Sequence, residues 1–157
     1  MKTTIGISDE SRQKVATVLS ELLADESILY IKTKNAHWNV VGADFHEKHI
    51  FFEGQMNQLN GLIDRVAERI RTIGHFAPAT MHSYLSLTHL TEVNQFDNSS
   101  IGFVKALLSD HESIVIQLRE HIAPFANDFH DAGTSDFITW IMKEHEQMAW
   151  FLRSHIK

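Results

Sequence analysis

From Asp44 to Gly74 the apolar residues Phe45, Phe52, Met56, Leu59, Ile63, Val66, Ile70 and Ile73 recur in steps of three and four, with one step of seven. That rhythm keeps them on one side of a 3.6-residue turn and predicts a single long amphipathic helix. Asp44, with Glu47 three residues on, has the form of a capping box at its start. Beside the apolar seam runs a polar stripe of Glu53, Asn57, Asn60, Asp64 and Glu68. At about 100° per residue, Glu53 and Asp64 differ by only ~20° around the helix axis. His49 and Glu53 are four apart, as are Asp64 and Glu68, so each pair shares a face.

With His37 just upstream, the stretch carries five candidate metal ligands: His37, His49, Glu53, Asp64 and Glu68. Imidazole beside carboxylate suits iron, zinc or manganese better than calcium. Yet His49 and Asp64 lie roughly 22 Å apart along the axis, too far for one ion to touch both. Two copies of the helix, crossed antiparallel about a two-fold axis, would set His49 and Glu53 of one against Asp64 and Glu68 of the other. That makes two equivalent sites per dimer, each shared between subunits. Spacing alone leaves another reading open, in which the acids form a solvated face and His49 is a hydrogen-bonded seam histidine.

The rest of the chain reads as helices around this one. Ser8 is placed to cap a first helix over residues 9 to 36, with Asp9 and Glu10 in its first turn and Val15, Leu19, Leu22, Leu23, Leu29 and Tyr30 at helical spacing. His37 and Trp38 close it, and the turn Asn39 to Ala43, with Gly42, returns His37 toward His49. Gly74 and Pro78 end the second helix. Residues 75 to 98 form a long crossover with a short helix around Met81 to Leu85. Asn98 or Ser99 caps a third long helix with Val104, Leu107, Leu108, Val115, Leu118 and Ile122 inward, and Pro124 kinks or ends it. After a polar turn from Asn127 to Ser135, Thr134 or Ser135 caps a fourth long helix with Phe137, Ile141, Met148 and Leu152 on its inner face. A chain of 157 residues, 43% of them hydrophobic, predicts one domain, 1–157, with a sizeable core.

Composition narrows the function. The formal charge of −6 disfavours a general polyanion binder and suits a protein that attracts cations. The absence of cysteine excludes thiolate metal sites, disulfides and thiol redox chemistry. The opening MKTTIGISDESRQKV has no apolar signal region, and no run is long enough for a membrane span, so the expected compartment is the cytoplasm. Of eleven histidines, two fall in the motif; the other nine are expected at surfaces or in structural hydrogen bonds. Lys48 is placed to pair with a nearby carboxylate, a weak contribution if that carboxylate is exposed.

The stretch resembles the signature of the Dps family (DNA-binding protein from starved cells), the mini-ferritins. Its pattern is His-Trp, a second His twelve residues after the first, a carboxylate four further on, then Asp-x-x-Ala-Glu-Arg. Here these are His37-Trp38, His49, Glu53 and Asp64-Arg65-Val66-Ala67-Glu68-Arg69, with Glu53 where many members carry Asp. The resemblance implies an all-α, ferritin-like four-helix bundle whose long crossover, between the second and third helices, carries the short helix. No glutamate here has histidine three residues later, the pattern of ordinary ferritin-like di-iron centres, which speaks against such a centre inside one chain.

The resemblance further implies a ferroxidase that oxidises Fe²⁺, with H₂O₂ the expected oxidant, at shared sites in a dodecameric iron-storage shell, and protection from oxidative stress. Zinc would compete at the same ligands. Trp38 and Trp150 would take up stray oxidising equivalents, although as residues they read first as core or interface aromatics. Asp128, Asp131 and Asp136 would line an iron-admitting pore, although turn and capping chemistry uses the same residues. A DNA-compacting nucleoid protein with incidental iron binding is the competing reading. Clustered terminal lysines would favour it, and the two ends offer only Lys2 and Lys157, so DNA binding is expected to be weak or absent. A structural shell with degenerate metal sites is a third reading, which the complete five-ligand set disfavours.

Overall fold

A computed structural model describes residues 3–92 and 97–156, so Lys2 and Lys157 lie outside the described residues. Among the described residues five helices follow one another: α1 (Asp9–Asn39), α2 (Phe45–Thr72), α3 (Met81–Leu87), α4 (Ser100–Asn127) and α5 (Ala132–Arg153). Among the described residues no strand forms, and the one isolated bridge joins Val41 to Ser99. The four long helices make the bundle, and α3 lies within the crossover.

Ser8 caps α1 by accepting from the Ser11 amide, Thr80 caps α3 through Ser83, and Ser99 caps α4 through Gly102. These hydroxyls satisfy amides that the first helical turn cannot pair internally. Asp44 precedes α2 but makes no side-chain cap bond. The capping box expected there does not form. Instead a hydrogen bond from Ser100 is the main cause holding the Asp44 carboxyl below its usual range.

α1 packs along α2 and α4 along α5, and the crossover returns the chain to the α1–α2 turn. There the Val41 amide donates to the Asn98 carbonyl at 3.0 Å. α2 and α4 therefore start at the same end and run parallel, as a long connection in a bundle requires. Asp25 of α1, 1% exposed, fixes the crossover by accepting from the Thr88 hydroxyl and the His89 amide, both at 2.7 Å. Gly74 turns the chain out of α2 at φ +94°, and a Cβ there would meet Thr3 and Arg12, so only glycine fits.

The core is the inner face of the four long helices. Val15, Leu19, Leu29, Phe52, Leu59, Val66, Ile70, Val104, Ile138, Ile141, Met148 and Leu152 are among its solvent-free side chains. Of the two effects expected of Pro124, a kink or an end, the end does not occur: α4 runs on to Asn127, and the Pro124 carbonyl accepts from the Asp128 and Phe129 amides. Two expectations need correction. α5 is capped by neither Thr134 nor Ser135 but by Asp131, whose Oδ1 accepts from the Thr134 amide at 2.8 Å. Phe137 is only partly buried, because Ile138 takes the inward position one residue later.

Candidate metal centre

His37 leaves the last turn of α1 and His49 the first turns of α2, and the turn through Gly42 folds the two imidazoles onto each other. Their ring centres are 3.9 Å apart and their planes 21° from parallel. His37 Nδ1 donates to the His49 carbonyl at 2.8 Å, and His49 Nδ1 donates to the His37 carbonyl at 2.8 Å. A carbonyl oxygen only accepts, so each Nδ1 must carry the proton. With the proton fixed on Nδ1, the neutral form of either ring carries its lone pair on Nε2, the tautomer in which a histidine ligates a metal through that nitrogen.

Glu53 lies one turn beyond His49 on α2 and is exposed. Asp64 and Glu68 are exposed on the same stripe, at the far half of the helix. A groove of about 350 Å³ opens beside Asp64, lined by Asn60, Gly61, Ala77, Pro78 and Tyr84 among others. The two ligand groups do not meet within the chain. Among the described residues no three His, Cys, Asp or Glu side chains gather to hold a metal ion.

The surroundings anchor both halves. Next to His49, Lys48 is buried rather than surface-borne. Its ammonium lies 3.1 Å from Glu47 and 3.9 Å from Asp44, and it donates to His155 Nδ1 at 3.2 Å. Burial first, and then Lys48, hold the His155 imidazole below its usual range. This contact docks the end of the chain onto the start of α2. Next to Glu68, Arg69 bonds the Thr134 hydroxyl through Nε at 3.0 Å and Asp131 Oδ1 through a terminal nitrogen at 3.1 Å. That ties the acidic half of α2 to the N-terminus of α5.

Asp131 is 2% exposed, and its carboxylate serves the cap, the Thr134 hydroxyl and Arg69. It presents no free edge to solvent, whereas Asp128 and Asp136 are exposed. Trp38 is 64% exposed beside His37, with Lys34 Nζ 5.0 Å from its ring centre. Trp150, also exposed, lies against Phe151 near the end of α5, so neither tryptophan belongs to the core of the single chain.

Sequence reasoning missed a second polar cluster. Glu26, His111 and His145 meet inside the bundle with no exposure at all. The signal was present, since His111 falls in step with Leu107, Ile114 and Leu118, and His145 with Ile141, Met148 and Leu152.

A long-helix bundle with one long crossover and carboxylate-bearing inner helices defines the ferritin-like class. Residues 16–157 match the ferritin family, described as a ferritin-like domain. The chain is 41% identical over 156 residues to an uncharacterized low temperature-induced protein of Nostoc sp., a match covering 99% of this chain and 87% of that one. It is 34% identical over 144 residues to DNA protection during starvation protein 2 of Bacillus anthracis, covering 92% of this chain and 97% of the relative. The crystal structure of a Dps protein from Vibrio cholerae O1, described as a member of a broad superfamily of ferritin-like diiron-carboxylate proteins, superposes with TM-score 0.89 at 26% identity, covering 99% of this chain and 100% of that one. The chain belongs to the ferritin-like family and, within it, to the Dps-type mini-ferritins, an iron-sequestering group.

Proposed function

We propose that this protein oxidises Fe²⁺ at sites shared between two copies of the chain and stores the ferric product inside a closed homo-oligomeric shell, a dodecamer. His37, His49 and Glu53 of one subunit and the partner subunit's Asp64 and Glu68 hold the iron. The observation that carries this reading is the reciprocal His37–His49 clasp. It sets the two imidazoles side by side, each held through Nδ1, and leaves the carboxylates that would complete the site half a helix away. The exposed apolar side chains Ile31, Trp38, Phe45, Ile50, Phe76, Met81 and Leu85 on α1, α2 and the α3 region support a face that another copy covers. Gly54 and Gly61, with open space where a Cβ would stand, allow a second helix to come close beside the acidic stripe.

Carboxylates are hard anionic donors and favour the ferric product over Fe²⁺. With peroxide, two Fe²⁺ each give up one electron, the O–O bond breaks, and two protons complete two waters. Removing Fe²⁺ and peroxide together prevents hydroxyl radical formation, which is the protection from oxidative stress. Zn²⁺ binds the same imidazoles and carboxylates without redox chemistry and acts as a competitor. Asp128 and Asp136 are the acids free to draw cations toward a pore. Trp38 beside His37 is placed to intercept stray oxidising equivalents, and Trp150 is the second such candidate.

The test is direct. Anaerobic protein mixed with Fe²⁺ and then peroxide should develop ferric absorbance. A His37→Ala/Asp64→Ala variant should lose it by on the order of 10²-fold, since even outer-shell changes at metal sites cost 10–100-fold, while eluting at the parent's assembly size. Equal oxidation rates would show that the ligands lie elsewhere. For DNA, the net charge of −6 predicts weak binding or none at neutral pH and physiological salt. A gel shift at sub-micromolar protein under those conditions would reverse that assignment.

A further inference from the structure

Glu26 of α1, His145 of α5 and His111 of α4 form a chain of contacts through the centre of the bundle. His145 Nε2 lies 2.6 Å from Glu26 Oε1, and His145 Nδ1 lies 2.9 Å from His111 Nδ1. All three residues are 0% exposed. Two atoms at the ends, Glu26 Oε2 and His111 Nε2, are buried without a hydrogen-bond partner.

Counting protons shows what this arrangement can do. Each contact needs one shared proton. With Glu26 ionised, both imidazoles neutral, Nε2–H of His145 donating to Glu26 and Nδ1–H of His111 donating to His145, two protons satisfy both contacts. His111 Nε2 is then a bare lone pair. A third proton makes both nitrogens of His145 donors and moves the His111 proton to Nε2, where no side chain of the described residues accepts it. A buried donor without an acceptor is costly, so the folded core resists that proton.

We propose that Glu26, His145 and His111 are a buried hydrogen-bonded triad with no room for a further proton, which makes the packing of α4 and α5 against α1 acid-sensitive. Nothing nearby relieves the third proton. The only titratable residues that α4 and α5 bury are His111 and His145. α2 buries Lys48, tied to Glu47 and His155, and the uncharged Gln55, which donates to the Met148 carbonyl. α1 buries Arg12, Asp25 and His37 besides Glu26, held by Asp9 and Ile73, by Thr88 and His89, and by His49. Asp110, the half-buried acid next to His111 in sequence, is paired with Lys32 at 2.6 Å.

Burial first, and then His145, hold the His111 imidazole well below its ordinary 6.5. The sign follows. The folded state releases this proton and the unfolded chain binds it. The stability tied to neutral His111 is therefore complete above the ordinary imidazole value and is lost as pH falls below it. The loss is tenfold in the unfolding equilibrium per pH unit, which lowers the melting temperature by about 3–5 °C per unit.

The experiment compares melting of the assembled protein at pH 7.5 and 5.5 for the parent, His111→Gln and His82→Gln. Glutamine at 111 still donates to His145 but cannot titrate; His82 is an exposed histidine on α3. The parent and His82→Gln should lose about 3–5 °C more than His111→Gln. Equal losses in the parent and His111→Gln overturn the proposal, and so does a His82→Gln variant that behaves like His111→Gln. Hydrogen exchange on the parent alone covers the case in which the variant does not fold. At pH 5.5, after correction for intrinsic exchange, residues 107–118 and 141–152 should lose protection while 55–70 keep it. Uniform loss across the four long helices overturns the proposal as well.

Discussion

Particles assembled from a mixture of His37→Ala/His49→Ala chains and Asp64→Ala/Glu68→Ala chains are expected to regain about a quarter of the parent's iron-oxidising sites, although neither variant alone retains any. In a mixed pair, one site inherits both defects. The other combines the intact histidines of one chain with the intact acids of its partner. Random pairing makes half of all pairs mixed, and half of their sites are whole. A site contained in one chain predicts no recovery at all. The measurement is the initial rate of ferric absorbance after peroxide addition, on particles dissociated and reassembled at equal ratio. It separates a shared centre from two independent half-sites even if each half binds iron weakly by itself.

The second large effect concerns Asp131. Asp131→Ala should lower the melting temperature by about 4–10 °C. The change removes the cap of α5 and leaves Arg69 and Thr134 without the carboxylate they share. Asp136→Asn, at an exposed position, should leave melting within about 2 °C and slow iron uptake instead. A stable Asp131→Ala protein with impaired uptake would return that residue to the pore. Differential scanning calorimetry and iron uptake on the same preparations decide it.

The fold was legible because its longest helices advertise themselves. The seam from Phe52 to Ile73, the Ser8 and Ser99 caps and the breaks at Gly74 and Pro78 are local signals, and the bundle follows from them. The proposed metal half-site rests on the same kind of signal, since helical spacing places Glu53, Asp64 and Glu68 on one exposed stripe of α2. What stayed hidden depends on contacts between helices distant in sequence. Asp131 reads as a loop acid until Arg69, 62 residues away, is seen beside it. Asp44 reads as a capping residue until Ser100 claims it. Glu26 falls in step with Leu22 and Leu29 on the inner face of α1, but nothing in its neighbours announces that His145, 119 residues on, will meet it. Periodicity can show that a polar group faces the core, but only the partner from a distant helix shows what it does there.

The clasp between His37 and His49 has a consequence for when chemistry can start. Everything that orients the two rings comes from one hairpin, so a lone subunit already displays its nitrogens as soon as that hairpin closes. The acids that would finish the job arrive only with a neighbour. If the site is shared as proposed, a newly made subunit would touch iron but have no means of turning it over. Under this scheme, oxidation waits until walls exist to contain what it produces.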